Sequence, residues 1–348
     1  MSLVADPGLV ADGEQADVQP RRRGYASYLG LKVLGAAGSL FFMLVVSFFL
    51  FRVLPGDPAR TLGRGRLSSQ EQLDAFNKTY GLDQPLPQQF VTFLKNTLSG
   101  DLGISLQYRL PVSQIIMDRL WPTVLLVGTS TILSTVVGVY FGIRGAWKRG
   151  GRFDNVSTGG SLILYSMPEW WLGLLLIAGL GVGFWFVPGI FPTGGLTSSG
   201  VDPSSLHGVL DTSWHLVLPV TTLTLAYLAD YSLIMRSSLL DELGEDYLQT
   251  ARAKGLRDIQ VRNRHAVRNA LLPTTTIIAL NIGFVVSGAI TVETVFSIPG
   301  LGLLATDAIG VPDYWVLQGT FLVASAGVIV ANLAANLLYG WLDPRVRT

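Results

Sequence analysis

Long uncharged apolar stretches are the feature that most constrains how this chain of 348 residues can fold. Residues 33–51 contain no charged side chain, and neither do residues 120–143. A helix needs about 20 apolar residues to cross a bilayer, and backbone amides in lipid must be hydrogen-bonded internally. Only 14% of the residues are charged, against about 25% in typical soluble domains. The sequence therefore predicts an α-helical membrane protein.

The apolar pattern predicts six transmembrane helices. The predicted spans are 33–51, 120–143, a third from 156 past 185 that is interrupted at Pro168–Glu169, then 214–235, 271–292 and one within 314–342. Residues 57–119 carry mixed charges with Pro and Gly, and helices are expected at 68–80, capped by Ser68 or Ser69, and at 88–98. Residues 1–28 are polar and are predicted to be a disordered tail. The predicted fold class is an all-α polytopic membrane protein.

Basic residues alternate between the loops and predict the orientation. The loop after the second span holds four of them, and the stretch 236–268 holds seven, whereas 187–213 and 293–313 hold none. The seven are Arg236, Arg252, Lys254, Arg257, Arg262, Arg264 and Arg268. Because basic loops stay on the cytoplasmic side, we expect both termini and the loop 237–270 in the cytoplasm of a plasma or inner membrane. The helical loop 57–119 is then extracytoplasmic.

The basic loop 237–270, between the fourth and fifth spans, is predicted to form a short helix, a turn and a second helix. Residues 247–254 contain neither Pro nor Gly, and Gly255 follows a basic residue, as at a helix C-terminus. We expect Gly255 to have a positive φ or to lie against a partner surface, and Ala251 and Ala253 to be small for the same reason of fit. A short projecting helix can dock into a groove on a cytosolic partner.

A family resemblance rests on this loop. Its residues are Tyr247, Thr250, Ala251, Arg252, Ala253, Lys254, Gly255 and Leu256, followed by His265, Asn269, Leu272 and Pro273. This pattern resembles the coupling loop of ABC-importer permeases, and it is most similar to the dipeptide/oligopeptide (nickel-type) family. Segments 55–58, 81–83, 100–103 and 297–302 resemble external loops of the same family. The resemblance covers 29–348, which would form one permease domain.

The resemblance implies a transmembrane permease subunit of an ATP-driven, binding-protein-dependent importer. It further implies a heterodimer with a second homologous permease, two cytosolic ATPase subunits coupled through the eight residues within 247–256, and an extracytoplasmic substrate-binding protein. Peptides are the expected cargo. Nickel complexes, glutathione and oligosaccharides remain alternatives, because related permeases carry them.

Several kinds of chemistry are missing from the sequence. It has no Cys and no G-x-x-x-x-G-K-[ST] phosphate loop, so ATP is expected on partner subunits. His207, His215 and His265 have no metal-ligand spacing. No catalytic, cofactor or metal residue and no nucleic-acid partner is predicted. A secondary transporter driven by an ion gradient is the alternative class, but no internal repeat supports it. A membrane sensor that borrows the coupling loop is a third possibility.

Two acidic residues, Glu169 and Asp230, fall inside predicted spans. A carboxylate facing lipid is costly, so each is expected to face the helix bundle, a wet cavity or a partner. In a structural interpretation, Glu169 caps amides freed at Pro168 and Asp230 hydrogen-bonds to a neighbouring helix. In a functional interpretation, both line the translocation path and favour cationic peptide termini or basic side chains.

Overall fold

The computed structural model describes residues 25–52, 70–79, 81, 83–184, 187–285, 289–311 and 313–342. Most of the predicted tail, the predicted helix cap at Ser68 or Ser69 and the segment 55–58 lie outside these residues. Within them the chain is helical except for one antiparallel pair of two-residue strands, β1 (Gly183–Phe184) and β2 (Val187–Pro188).

Two helical regions precede and follow these strands. Before them lie α1 (Tyr25–Arg52), α2 (Gln70–Thr79), α3 (Leu86–Leu98), α4 (Val112–Trp147), α5 (Arg152–Tyr165), α6 (Glu169–Leu176) and the π-helix Ile177–Val182. After them lie α7 (Leu206–Glu242), α8 (Asp246–Ala253), α9 (Asp258–Gln260), the π-helix Val261–Ala266, α10 (Val267–Phe284), α11 (Ile290–Val295), α12 (Leu301–Gly310) and α13 (Tyr314–Leu342).

Four of the described helices are long and apolar enough to cross a membrane. They contain Leu29–Phe51, Val112–Trp147, Leu206–Glu242 and Tyr314–Ala334. A fifth candidate is the pair Arg152–Tyr165 and Glu169–Val182, which is bent by 106°. Pro168 has no N–H and disfavours a helical residue before it, which explains the break predicted there. The multi-pass helical class is confirmed, and the count of six spans stays a prediction.

Several predicted boundaries differ from the structure. The predicted second and fourth spans are shorter than the helices that contain them, because α4 and α7 extend beyond 120–143 and 214–235 at both ends. The predicted loop 57–119 includes the first residues of α4, which begins at Val112 after an isolated bridge between Ile104 and Pro111. The location of this loop relative to the membrane stays a prediction. The predicted span 271–292 also divides, since α10 ends at Phe284 and α11 is a separate short helix. Arg119, which the sequence assigns to the loop, therefore lies within α4.

Helices α4 and α7 form the central pair of the fold, and glycine lets them approach closely. A side chain at Gly138 would come within 2.7 Å of the Tyr231 Cβ atom, and one at Gly142 within 2.6 Å of the Met235 Cβ atom. Small residues at such crossings allow backbones to pack by van der Waals contact, which drives helix association in lipid. This pair connects the helices of the loop 237–270 at one end to α11 and α12 at the other.

The helix predicted at 88–98 is confirmed as α3. It begins two residues earlier, at Leu86, with Pro85 at its N-cap and Pro87 in the first turn, where a missing N–H costs nothing. Phe90 lies against Phe48 of α1, with ring centroids 5.2 Å apart. The subdomain is therefore attached to the first membrane helix by aromatic packing.

Candidate coupling and translocation sites

Helix α8 is held on the molecule by two buried side chains. Leu248 is fully buried and Ala251 is 6% exposed. Both pack in one apolar cluster with residues of α4, α7 and the α10 region: Ala146, Met235, Leu239, Val261, Ala266 and Ala270. The small size of Ala251 therefore fits the chain's own core, whereas Ala253 is exposed. A displacement of α8 would be carried directly into α7 and α10.

Tyr247 adds a polar attachment at the start of α8. Its hydroxyl donates a hydrogen bond to Glu242 at the end of α7 and accepts one from the Asn269 amide, 2.9 Å away. Burial, together with the hydrogen bond to Glu242, raises the pKa of Tyr247 to about 12. The phenol therefore stays protonated at neutral pH and keeps donating to Glu242. One residue thus links α7, α8 and α10.

The outer side of α8 and the following turn are mostly exposed. Thr250, Arg252, Ala253, Lys254 and Gly255 are exposed, and Leu256 is half-buried. Gly255 has the expected positive φ, +81°, and a side chain there would meet no atom within 4 Å. Glycine is therefore required by the backbone conformation, and the space beside it is open. Arg252 forms a surface ion pair with Asp258 at 3.6 Å.

Arg236 does not belong to the exposed basic loop. It lies inside α7, and its Nε and Nη2 atoms contact the Asp154 carboxylate at 2.6 and 3.0 Å. Asp154 is 2% exposed and also accepts hydrogen bonds from the Gly150 amide and the Thr158 hydroxyl. The pair joins the first turn of α5 to α7. Sequence reasoning missed it, because the two residues are 82 positions apart.

The two intramembrane acids occupy adjacent elements but differ in their contacts. Glu169 is the first residue of α6, and its Oε2 atom accepts a hydrogen bond of 3.3 Å from Thr291 of α11. It forms no cap with the backbone of α6. Asp230 is half-buried on α7 and makes no hydrogen bond or ion pair with any described residue. Neither contact expected in the structural interpretation is present.

Two tyrosines of α7 lie beside these acids. The Tyr227 hydroxyl lies near both Glu169 and Asp230. Tyr231 is fully buried, and its hydroxyl accepts a hydrogen bond of 2.9 Å from the Asn281 amide. Residues 227, 230 and 231 lie on one face of α7, because positions three and four apart are neighbours on a helix. The result is a polar region between α6, α7 and α10 within apolar surroundings.

Glu293 is an acid whose role the sequence analysis missed. Its side chain is fully buried and accepts hydrogen bonds from the Thr123 hydroxyl of α4 (2.9 Å) and from the amides of Gly302 (2.6 Å) and Leu303 (3.1 Å) at the start of α12. A side chain at Gly300 would come within 2.3 Å of the carboxylate. The glycines in the segment 297–302 were the available signal, since they leave room for Glu293.

No group of three His, Cys, Asp or Glu residues that could hold a metal ion occurs in the part of the chain that the structure describes. The polar groups described above form three separate features. They are the attachment of α8 through Tyr247, the buried carboxylate of Glu293, and the half-buried acids Glu169 and Asp230.

Sequence comparison defines the class of protein to which this architecture belongs. A family model described as "Binding-protein-dependent transport system inner membrane component" matches residues 106–348, and the model of the corresponding N-terminal part matches 26–127. The chain belongs to this family of binding-protein-dependent inner membrane transport components. It is therefore a multi-pass permease subunit of an ABC importer and not an enzyme, and ATP hydrolysis belongs to partner ATPases. Membership also implies a substrate-binding protein.

Individual relatives align with nearly the whole chain. The dipeptide transport system permease protein DppB of Escherichia coli K12 is 38% identical over 320 residues, covering 87% of this chain and 93% of the relative. The oligopeptide transport system permease protein AppB of Bacillus subtilis is 36% identical, covering 92% and 99%. The glutathione transport system permease protein GsiC of Pectobacterium atrosepticum is 37% identical, also covering 92% and 99%.

Proposed function

We propose that this permease imports dipeptides and oligopeptides, forming the translocation path as a heterodimer with a second homologous permease. The observation that carries the proposal is the similarity to dipeptide and oligopeptide permeases across 93% and 99% of their lengths. Glutathione is a second candidate cargo, because GsiC is 37% identical over a comparable length. Cargo would arrive from an extracytoplasmic binding protein, and two cytosolic ATPases would drive its passage.

Uptake by the reconstituted complex tests the cargo. The permease pair, the ATPases and the binding protein are placed in vesicles and given labelled dipeptides, oligopeptides, glutathione, a nickel complex and an oligosaccharide. We expect ATP-dependent uptake of the peptides that requires the binding protein. Uptake of glutathione alone would favour the second candidate. Uptake driven by an ion gradient without ATP would contradict the ABC mechanism itself.

The exposed side of α8 is proposed to contact the ATPases through Thr250, Arg252, Ala253, Lys254 and Gly255. The buried Leu248 and Ala251 fasten the same helix to α7 and α10. A force applied to α8 would therefore move α7, on which Asp230 lies 12 residues before Glu242, or about 18 Å along the helix axis. Through this connection, nucleotide-driven closure of the ATPases would switch the permease between its outward and inward openings.

Variants at Gly255 separate a partner contact from a purely conformational need. Asn tolerates positive φ better than other residues, whereas Ala does not. If only the conformation matters, Gly255→Asn should couple normally and Gly255→Ala should lose about 1 kcal/mol of stability. We expect instead that both Gly255→Asn and Gly255→Asp leave the protein inserted while transport or ATPase assembly fails. Normal assembly and transport in both variants would exclude a partner surface beside Gly255.

Glu169 and Asp230 are proposed to line the path together with Tyr227. A half-buried carboxylate without a cation partner attracts a cationic group, and the ammonium terminus of a peptide is such a group. The flanking tyrosine supplies a hydroxyl and an aromatic face near both acids, and aromatic faces also attract cations. The interpretation requires that both side chains face a space that the cargo can enter.

The proposed topology has six spans, both termini in the cytoplasm and residues 57–119 outside. Single cysteines are informative because the protein contains none of its own. With an impermeant thiol reagent on intact cells, Ser99→Cys and Ser199→Cys should be labelled, whereas Lys254→Cys should be labelled only after the membrane is opened. All three positions are exposed. The reverse pattern would invert the orientation.

A further inference from the structure

A groove between α1 and α13 lies away from both candidate sites. Its volume is about 310 Å³, and its lining combines small and polar residues of the two helices. The polar members are Lys32, Ser39, Asn332 and Asn336, and the small ones include Gly35 and Ala36. A side chain built on Gly35 would meet no atom within 4 Å. Glycine at this position therefore leaves the groove open.

The chemistry of the groove is cationic at one end. The Lys32 ammonium donates a hydrogen bond of 3.1 Å to the Asn336 side-chain oxygen. The Asn336 amide in turn donates to the Asn332 backbone carbonyl at 2.7 Å. Lys32 is the one charged residue among the described residues that line the groove. A ligand with an anionic group at this end would therefore meet a positive charge.

Asn332 adds a second requirement. Its side-chain oxygen is buried and has no hydrogen-bond donor within the described part of the chain. A buried polar atom normally finds a partner, because leaving it unsatisfied is costly. A hydroxyl on the ligand can supply that donor. The two requirements together describe a molecule with a phosphate-like anion and a nearby hydroxyl group.

The depth of these groups matches a phospholipid. In the sequence, Lys32 directly precedes the uncharged stretch 33–51, and Asn336 lies seven residues before Asp343, the first charged residue after Asp313. Both residues therefore lie near one end of a predicted span. This is close to the headgroup level of a bilayer. Leu31 and Leu34 are 60% and 69% exposed on the same helix, where an acyl chain can cover them.

We propose that the groove formed by Lys32, Gly35, Ser39, Asn332 and Asn336 binds an anionic glycerophospholipid with a hydroxyl-bearing headgroup. The phosphate pairs with Lys32, the headgroup hydroxyl donates to Asn332, and the acyl chains lie along α1. Helix α1 packs mainly on α13. The bound lipid therefore fastens the first membrane helix to the rest of the permease. Basic pockets between membrane helices are a recognised kind of site for anionic headgroups.

Lipid binding by the purified, delipidated full-length chain tests the proposal. The probes are phosphatidylglycerol and phosphatidylcholine with identical acyl chains, and the readouts are native mass spectrometry and the thermal unfolding midpoint. We expect the wild type to bind phosphatidylglycerol more tightly and to be stabilised by it more than by phosphatidylcholine. Lys32→Gln should weaken phosphatidylglycerol binding about fivefold, the effect of one lysine near an anionic surface, while Lys148→Gln should leave it unchanged.

Filling the groove provides an independent test. Gly35→Phe places a ring in the groove, whereas Gly38→Phe adds the same ring to α1 at a position that also has open space but does not line the groove. We expect the first variant to lose the preference for phosphatidylglycerol and the second to keep it. Equal binding of the two lipids by the wild type, or an unchanged preference in Gly35→Phe, would overturn the proposal. If the lipid preference is unchanged but Gly35→Phe no longer pairs with the second permease, the groove binds a protein and not a lipid.

Discussion

The acidic residues of this permease fall into two regions that differ in how well their carboxylates are satisfied. Asp154 in the first turn of α5 and Glu293 on α11 are 2% and 0% exposed, and each is surrounded by three or more donors. Between α6 and α7, Glu169 and Asp230 are only half-buried. Glu169 accepts one hydrogen bond from a side chain, and Asp230 accepts none from any described residue.

The difference separates structural acids from candidate functional ones. Burying a carboxylate is tolerated when nearly every lone pair is used, and such a group then fixes the elements that supply the donors. An acid that remains half-exposed and lacks partners contributes little to folding, so its presence in an apolar region needs another explanation. Glu293 and Asp154 hold helices together, whereas Glu169 and Asp230 remain free to meet a cation.

The largest loss of stability is expected at Glu293. In Glu293→Gln, whichever oxygen becomes an amide, two of the four donors to the side chain lose their acceptor, at about 1–3 kcal/mol each. Thermal unfolding in detergent should show a large decrease in the midpoint. Glu169→Gln makes the same chemical change in the other region and serves as the matched control. Equal midpoints for the two variants would break the distinction between the regions.

A smaller loss is expected when Asp154 is removed. Asp154→Ala leaves the Arg236 guanidinium without its carboxylate, and because Arg236 is 25% exposed we expect about 2–3 kcal/mol rather than the full cost of a buried charge. Arg236→Met in the Asp154→Ala background should restore part of the loss. Unfolding midpoints of the two single variants and the double variant measure the coupling. Purely additive effects would mean that the ion pair does not connect α5 to α7.

Asp313 extends the comparison to the loop that precedes α4. Asp313 is 1% exposed and accepts a hydrogen bond of 2.6 Å from the Ser105 hydroxyl. Ser105→Ala removes this bond to a charged acceptor and should cost about 1.5 kcal/mol. Ser99→Ala, which removes an exposed hydroxyl, should change the midpoint by less than about 0.5 kcal/mol. A larger decrease in the unfolding midpoint for Ser105→Ala than for Ser99→Ala would place Asp313 with Asp154 and Glu293, whose hydrogen bonds stabilise the fold.

The smallest effect on stability, and a specific effect on transport, is expected at the half-buried acids. Asp230→Asn and Glu169→Gln should change stability by less than about 0.5 kcal/mol. Loss of an attraction of about 1 kcal/mol to a cation corresponds to about fivefold in relative rate. Uptake of cationic peptides should therefore fall relative to anionic peptides in the reconstituted complex. Unchanged relative rates in both variants would show that these acids are structural after all.

The helical class, the family and the short helix α8 could be predicted from the sequence, because each depends on local properties. The apolar runs had the length that a bilayer requires, and the break at Pro168 followed from a missing backbone donor. The residues 247–256 gave both the short helix and the positive φ of Gly255. Each of these features is set by neighbours within a few turns of helix.

The partners of the charged residues were decided only by the tertiary structure. The sequence groups Arg236 with the basic loop, whereas the structure pairs it with Asp154 of α5. The role of Glu293 depends on Gly300 and Gly302, which leave room for its carboxylate beside the amides at the start of α12. The sequence places Glu169 and Asp230 inside predicted spans, but only the structure shows how few hydrogen-bond partners they have. A side chain's charge is local, whereas Asp154 and Glu293 each have a donor 82 or 170 positions away in the sequence. Only the packing of the helices determines which of these residues meet.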